Sequence, residues 1–123
     1  MNGNELRIDT ADGILVARLE GEIDLANADG VRSALTRAAS NEVVGAVIDL
    51  SKITYMDSAG INVLFHLRER LRVRGQEVRL VVPPGSGAYD ALRYAGVLEA
   101  LAFSDSVDAA LAELPSQVEF PGA

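Results

Sequence analysis

One serine in this chain stands where its hydroxyl could do chemistry. Asp57-Ser58-Ala59-Gly60 follows an apolar run and its Ser51–Met56 connection, and opens a helical pattern. Functional groups gather at the carboxyl ends of strands in open α/β sheets. A helix N-terminus adds unpaired N–H groups and a partial positive charge. Ser58 is therefore placed where a phosphate could be accommodated. On local sequence alone the same residues read more readily as an ordinary helix cap, with Ser58 or Asp57 as the capping side chain. Nucleophilic catalysis is a poor reading, because an activating base must lie within hydrogen-bond reach. The single histidine, His66, falls eight residues further along the same predicted helix. At about 1.5 Å rise per residue it lies roughly 12 Å away. No Gly-x-Ser-x-Gly elbow surrounds Ser58. His66 itself reads as a solvated or half-buried helix residue.

Other candidates are weaker. Pro83-Pro84-Gly85-Ser86-Gly87 has the look of a phosphate loop but lacks the lysine and spacing of a Walker A motif. It reads as a strand-to-helix turn capped by Ser86. Arg68, Arg70, Arg72 and Arg74 alternate, so they do not share a helix face. They suit a solvated helix end beside the negative pole of the dipole. Asp9, Asp12, Glu22 and Asp24 lack the spacing of a calcium loop. No metal site and no cofactor are expected.

The elements that must position Ser58 are legible from periodicity. Leu6–Asp9 can form a short strand, Asp12-Gly13 a turn, and Ile14–Leu19 a second strand closed by Gly21-Glu22-Ile23-Asp24. A helical stripe follows at Ala28, Val31, Leu35 and Ala38, with Asn27 as its expected N-cap and Gly30 weakening its first turn. Val43–Leu50 is almost wholly apolar and rich in β-branched residues, which predicts a strand covered on both faces. A helix is predicted over Ser58–Arg74, stopped by Gly75. Val78–Val82 is another buried-type strand. Ser86–Ala95 reads as a helix ended by Gly96, Leu98–Phe103 as a short last strand, and Ser104–Leu114 as a final helix capped at Ser104. Pro115–Ala123 lacks periodicity and reads as a loose C-terminal tail. The order β-β-α-β-α-β-α-β-α argues for one layered α/β domain over residues 1–114.

Composition narrows the function. A chain of 123 residues suits one domain and can bury a core without disulfides or metal. The absence of cysteine excludes thiolate zinc sites and thiol catalysis, and fits a reducing compartment. No apolar run approaches the roughly 20 residues a membrane span needs. The first residues do not read as a secretory signal. A formal net charge of −7 lacks the basic footprint of a nucleic-acid binder. The expectation is a cytoplasmic protein with no nucleic-acid partner and no membrane insertion.

Taken together, the residues resemble a STAS domain of the anti-sigma factor antagonist (anti-anti-sigma factor) type. The likeness is carried by Gly21-Glu22-Ile23-Asp24, by Val47-Ile48-Asp49-Leu50-Ser51 leading through Ile53-Thr54-Tyr55-Met56 to Asp57-Ser58-Ala59-Gly60-Ile61, and by Tyr94-Ala95-Gly96-Val97-Leu98. It spans roughly Glu5 to Leu114. The resemblance implies a mixed sheet of about five strands with about four helices packed largely on one side. It implies a non-enzymatic switch. The unphosphorylated protein binds an anti-sigma factor, a serine kinase of the histidine-kinase-like ATPase fold, and so releases a sigma factor. The kinase phosphorylates Ser58 and the complex separates; a phosphoserine phosphatase resets it. The implied partner-binding positions are Asp24, Asp57, Ser58, Ala59, Gly60 and Asn62. Ala59 departs from the many members that carry Ser or Thr there, which bears on partner identity more than on mechanism. An alternative is a STAS subunit of a transporter or stressosome-like assembly without a phosphorylation cycle. A nucleotide-binding module is disfavoured by the missing Walker lysine.

Overall fold

The computed structural model describes residues 4–40 and 42–114. Its elements are β1 (Asn4–Ala11), β2 (Ile14–Ile23), α1 (Ala28–Ala38), β3 (Gly45–Met56), α2 (Ser58–Arg72), β4 (Glu77–Val81), α3 (Gly87–Tyr94), β5 (Phe103–Ser104) and α4 (Val107–Glu113), with a single 3₁₀ turn at Leu98–Ala100. The five strands lie in sequence order in one sheet. β1 and β2 are antiparallel, and every later neighbour is parallel. Asp12 (φ 52°) and Gly13 (φ 81°) close the first hairpin. Positive φ at both central residues is what a two-residue turn needs to follow the strand twist.

Strand alternation divides the core in two. On β2, Leu15, Ala17 and Leu19 face one way; on β3, Ala46, Ile48 and Leu50 join them, with Leu80 of β4 and Val82 just past its end. This front face packs against α1, α2 and α3 through Leu35, Leu64, Leu67, Leu71 and Leu92. Parallel strands added in one direction through right-handed crossovers place their helices on one side, which accounts for the three-helix layer. The alternate residues Ile14, Val16, Val47 and Val81 face the back, where α4 covers them with Ala110 and Leu114. The α/β class, the five strands and the largely one-sided helices are as the sequence led us to expect.

Four local expectations are corrected. Ser51–Met56 is not a connection but the end of β3: its pairing with β2 continues, through register shifts at Arg18/Glu20 and Gly21/Glu22, to Ile23 opposite Met56. The expected strand Leu98–Phe103 is mostly a turn, and only Phe103–Ser104 pairs with β4. Ser104 does not cap the last helix. Its hydroxyl is buried and hydrogen-bonds the Glu113 carboxylate at 2.7 Å, while Ser106 accepts the Ala109 N–H as cap. Asn27 occupies the N-cap position of α1 without capping it; its Oδ1 accepts the Asp24 N–H at 3.0 Å and its Nδ2 donates to the Glu22 carbonyl at 3.0 Å. The expected tail, Pro115–Ala123, lies outside the described residues.

Candidate functional site

The motif sits where β3 ends and α2 begins, and Asp57 organises it. Its Oδ1 accepts the N–H groups of Ala59 (2.9 Å) and Gly60 (3.1 Å), so the cap is Asp57 and not Ser58. Its Oδ2 accepts the Leu25 N–H at 3.1 Å. One carboxylate thus caps the helix and ties it to the loop after β2. That loop holds itself in place: Asp24 Oδ1 accepts the Ala26 N–H at 3.0 Å, and buried Asn27 spans the turn from Asp24 to Glu22. The Thr54 hydroxyl adds a bond to the Gly21 carbonyl at 3.2 Å.

Two glycines set the spacing of this corner. A Cβ at Gly60 would lie 2.5 Å from Met56 Cγ and 2.7 Å from the Ile23 carbonyl oxygen. A Cβ at Gly87 would lie 2.6 Å from the Thr54 carbonyl oxygen. Only residues without a side chain let the first turns of α2 and α3 press onto the ends of β2 and β3. Gly60 is buried, so what it can give a partner surface is placement of the backbone.

Ser58 is the first residue of α2 and is exposed, with no side-chain hydrogen bond among the described residues. Asp57 has already taken two of the helix's free N–H donors. A group attached to Ser58 would therefore project into solvent, held by the dipole but not enclosed by those donors. The structure brings Asp24, Asp57, Ser58 and Ala59 together at one corner, with Asn62 exposed one turn further along α2.

A groove of about 570 Å³ runs from Ser58 between α2 and α3, past Tyr55, Ile61, Ala91 and Tyr94. A smaller one, about 290 Å³, lies between α1 and α2 and includes Leu25, Ala59, Asn62 and His66. Around the serine, Leu25 (81% exposed), Tyr55 (51%) and Tyr94 (93%) present large apolar side chains to water. Sequence reasoning missed these three. Tyr94 carried a signal: it lies two positions past the buried stripe of Ala88 and Leu92, so it must point away from the core. His66 is exposed on α2, and Ser86 caps α3 by accepting the Tyr89 N–H at 3.2 Å, both as expected. Of the arginine series, Arg72 pairs with Glu69, and Arg74 reaches across to the Ala39 carbonyl at 3.1 Å.

The STAS domain model matches residues 5–110. The chain belongs to the STAS domain family. Among its relatives is BtrV of Bordetella bronchiseptica, named as an anti-sigma factor antagonist, which is 32% identical over 81 residues, covering 65% of this chain and 70% of that protein. The anti-sigma-F factor antagonist RsfA of Mycobacterium tuberculosis is 33% identical over 82 residues, covering 65% of this chain and 64% of its own. The crystal structure of an anti-sigma factor antagonist from Mycobacterium paratuberculosis superposes with a TM-score of 0.75 at 23% identity, over 90% of this chain and 93% of that one. At that identity the likeness establishes the fold. No helix among the described residues of this STAS protein is long and apolar enough to cross a membrane.

Proposed function

We propose that this STAS protein is an anti-sigma factor antagonist whose binding is switched by phosphorylation of Ser58. The observation that supports it best is the exposed Ser58 hydroxyl beside a capping Asp57, flanked by two grooves and by uncovered apolar side chains. The names of its relatives point to an anti-sigma factor as partner. On this reading the bare serine docks in the cytoplasm on an anti-sigma factor that is itself an ATP-dependent serine kinase, and a sigma factor is released. Asp24, Asp57, Ser58, Ala59, Gly60 and Asn62 form the centre of the docking surface. The working unit is residues 1–114, and the protein is the substrate of the switching chemistry, not its catalyst.

The switch is electrostatic. The kinase transfers the γ-phosphoryl of ATP to Ser58 Oγ: an O–P bond forms, ADP leaves, and the hydroxyl proton passes to a base of the kinase. Ser58 gains about −1.5 to −2 charges on a chain already at −7. The helix N-terminus tolerates that charge within the fold. Asp57 next to it, and Asp24 across the corner, add to the negative field. A partner surface shaped for a neutral hydroxyl would have to desolvate the dianion without a counter-charge, at a cost of several kcal/mol. Since each 1.4 kcal/mol is tenfold, about a hundredfold loss of affinity or more is expected. A phosphoserine phosphatase would restore binding.

The test is incubation with a candidate anti-sigma kinase and ATP, mapping of the phosphosite by mass spectrometry, and titration of the complex. Phosphate should appear on Ser58. Ser58→Ala should bind as the native chain does and resist modification; Ser58→Asp should bind at least tenfold more weakly. Phosphate at another residue with Ser58 always bare, or equal binding by both variants, overturns the proposal.

A further inference from the structure

Independently of the Ser58 reading, we propose that the outer edge of β1 is a homodimer interface, at which two copies of the chain join their sheets about a two-fold axis through Ile8. β1 is an edge strand of eight residues, and among the described residues no strand pairs with its outer side. It contains no proline, and its charged residues Glu5, Arg7 and Asp9 alternate in sign, so they need not repel a second copy. Edges of this length are normally blunted by such devices.

The backbone decides which residues offer hydrogen bonds. The two-residue turn closes on the pair Ala11 and Ile14. Alternation then commits the N–H and C=O groups of Asp9, Arg7 and Glu5 to β2 and turns those of Thr10, Ile8 and Leu6 outward. A second copy must therefore set its own even-numbered residues opposite these. Antiparallel pairing with Ile8 opposite Ile8 satisfies that condition and uses the whole stretch from Glu5 to Ala11. Leu6 then faces Thr10 of the second copy.

Charge selects the same register. With Ile8 on the axis, Arg7 of each copy stands opposite Asp9 of the other, in the closer, non-hydrogen-bonded type of pair. Within one chain Arg7 already meets Glu20 at 3.4 Å, and Arg18 meets Asp9 at 3.8 Å. Pairing the two edges would extend these contacts into a row of alternating sign across the axis: Glu20, Arg7, then Asp9 and Arg18 of the second copy. Shifting the axis to Arg7 stacks Arg7 on itself and Glu5 on Asp9. Shifting it to Asp9 stacks the aspartates. Ile8, 42% exposed in the single chain, packs on its own copy only in the favoured register. β1 contributes no residue to either groove beside Ser58, so the docking corner stays open in the dimer.

Sedimentation or light scattering over a concentration series tests this on the full chain. The mass should rise from 13.0 kDa toward twice that value. Arg7→Glu and Asp9→Arg should each raise the dimer dissociation constant at least tenfold, because each sets like charges across the axis. Mixed together, the two variants should dimerise again, since in the mixed pair every charge at these two positions faces one of opposite sign. The chain has no cysteine, so Ile8→Cys gives a second readout. A hydrogen-bonded antiparallel pair sets its Cα atoms about 5.5 Å apart, within disulfide range. Ile8→Cys should oxidise to a covalent dimer and Thr10→Cys should not, because its symmetry mate lies roughly four residues, about 13 Å, away. Circular dichroism confirms that each variant is folded. A native chain that stays monomeric up to about 1 mM, a dimer indifferent to both charge reversals, or cross-linking at Thr10 in place of Ile8 overturns the interface.

Discussion

Asp57 and Ser58 are neighbours with opposite assignments. The carboxylate faces inward and spends both oxygens on three backbone N–H groups; the hydroxyl faces outward. Removing the first should therefore cost stability. Asp57→Ala takes away a helix cap, worth about 0.5–2 kcal/mol. It also frees Leu25 and loosens the loop it belongs to. Urea unfolding should show a lowered midpoint, and amide exchange should speed up at Leu25, Ala59 and Gly60. Gly60 makes a different demand. Gly60→Val drives a branched side chain into Met56 and the Ile23 carbonyl, where overpacking costs about 1–3 kcal/mol or more. The same urea measurement should rank it at least as damaging as Asp57→Ala.

At the scale of elements, the parts legible in the sequence were those whose pattern is local. The apolar run around Val47, the helical pattern over Ser58–Arg74 with its Gly75 stop, the Asp12-Gly13 turn and the Ser86 cap each declare themselves within a few residues. What was not legible depends on distant partners. Ser51-Lys52-Ile53-Thr54 is too polar to read as a strand, yet it pairs because β3 itself carries an extra residue at each of two register shifts against β2. Ser104 looked like a cap until Glu113 claimed its hydroxyl. At the site, the motif and its acidic neighbour could be read from residue types, but of the apolar rim only Tyr94 carried a local signal, because exposure of Leu25 and Tyr55 is settled only when the surrounding elements are packed. The last element, α4, is a seven-residue helix that covers the back of the sheet. Its hold rests on Ala110 and Leu114 against Val47 and Val81, with Glu113 near Arg79 and Ser104. Ala110→Asp would place a carboxylate against that apolar face, and should lower stability by about 2–4 kcal/mol. A thermal scan and a urea curve should agree on that loss.

Over the whole molecule, the proposed switch shares Asp57 and Gly60 with the fold but adds exposed groups of its own. The front core is sealed beneath three helices, the back beneath one, and the exposed side chains at the corner, Ser58 and Tyr94 among them, are ones that neither core requires. Tyr94 is almost wholly exposed at the rim of the larger groove, so its ring does nothing for the fold. Tyr94→Ala should leave the unfolding midpoint within about 0.5 kcal/mol of the native value, as surface substitutions generally do. Aromatic side chains that are idle in the free protein are nevertheless the kind that dominate interfaces. The same substitution should therefore weaken anti-sigma factor binding by at least tenfold, which corresponds to about 1.4 kcal/mol. Titration calorimetry beside a urea curve on the same sample separates the two effects. If Tyr94→Ala binds as tightly as the native chain, the α2–α3 groove is not part of the docking surface, and the α1–α2 side with Leu25 must carry it.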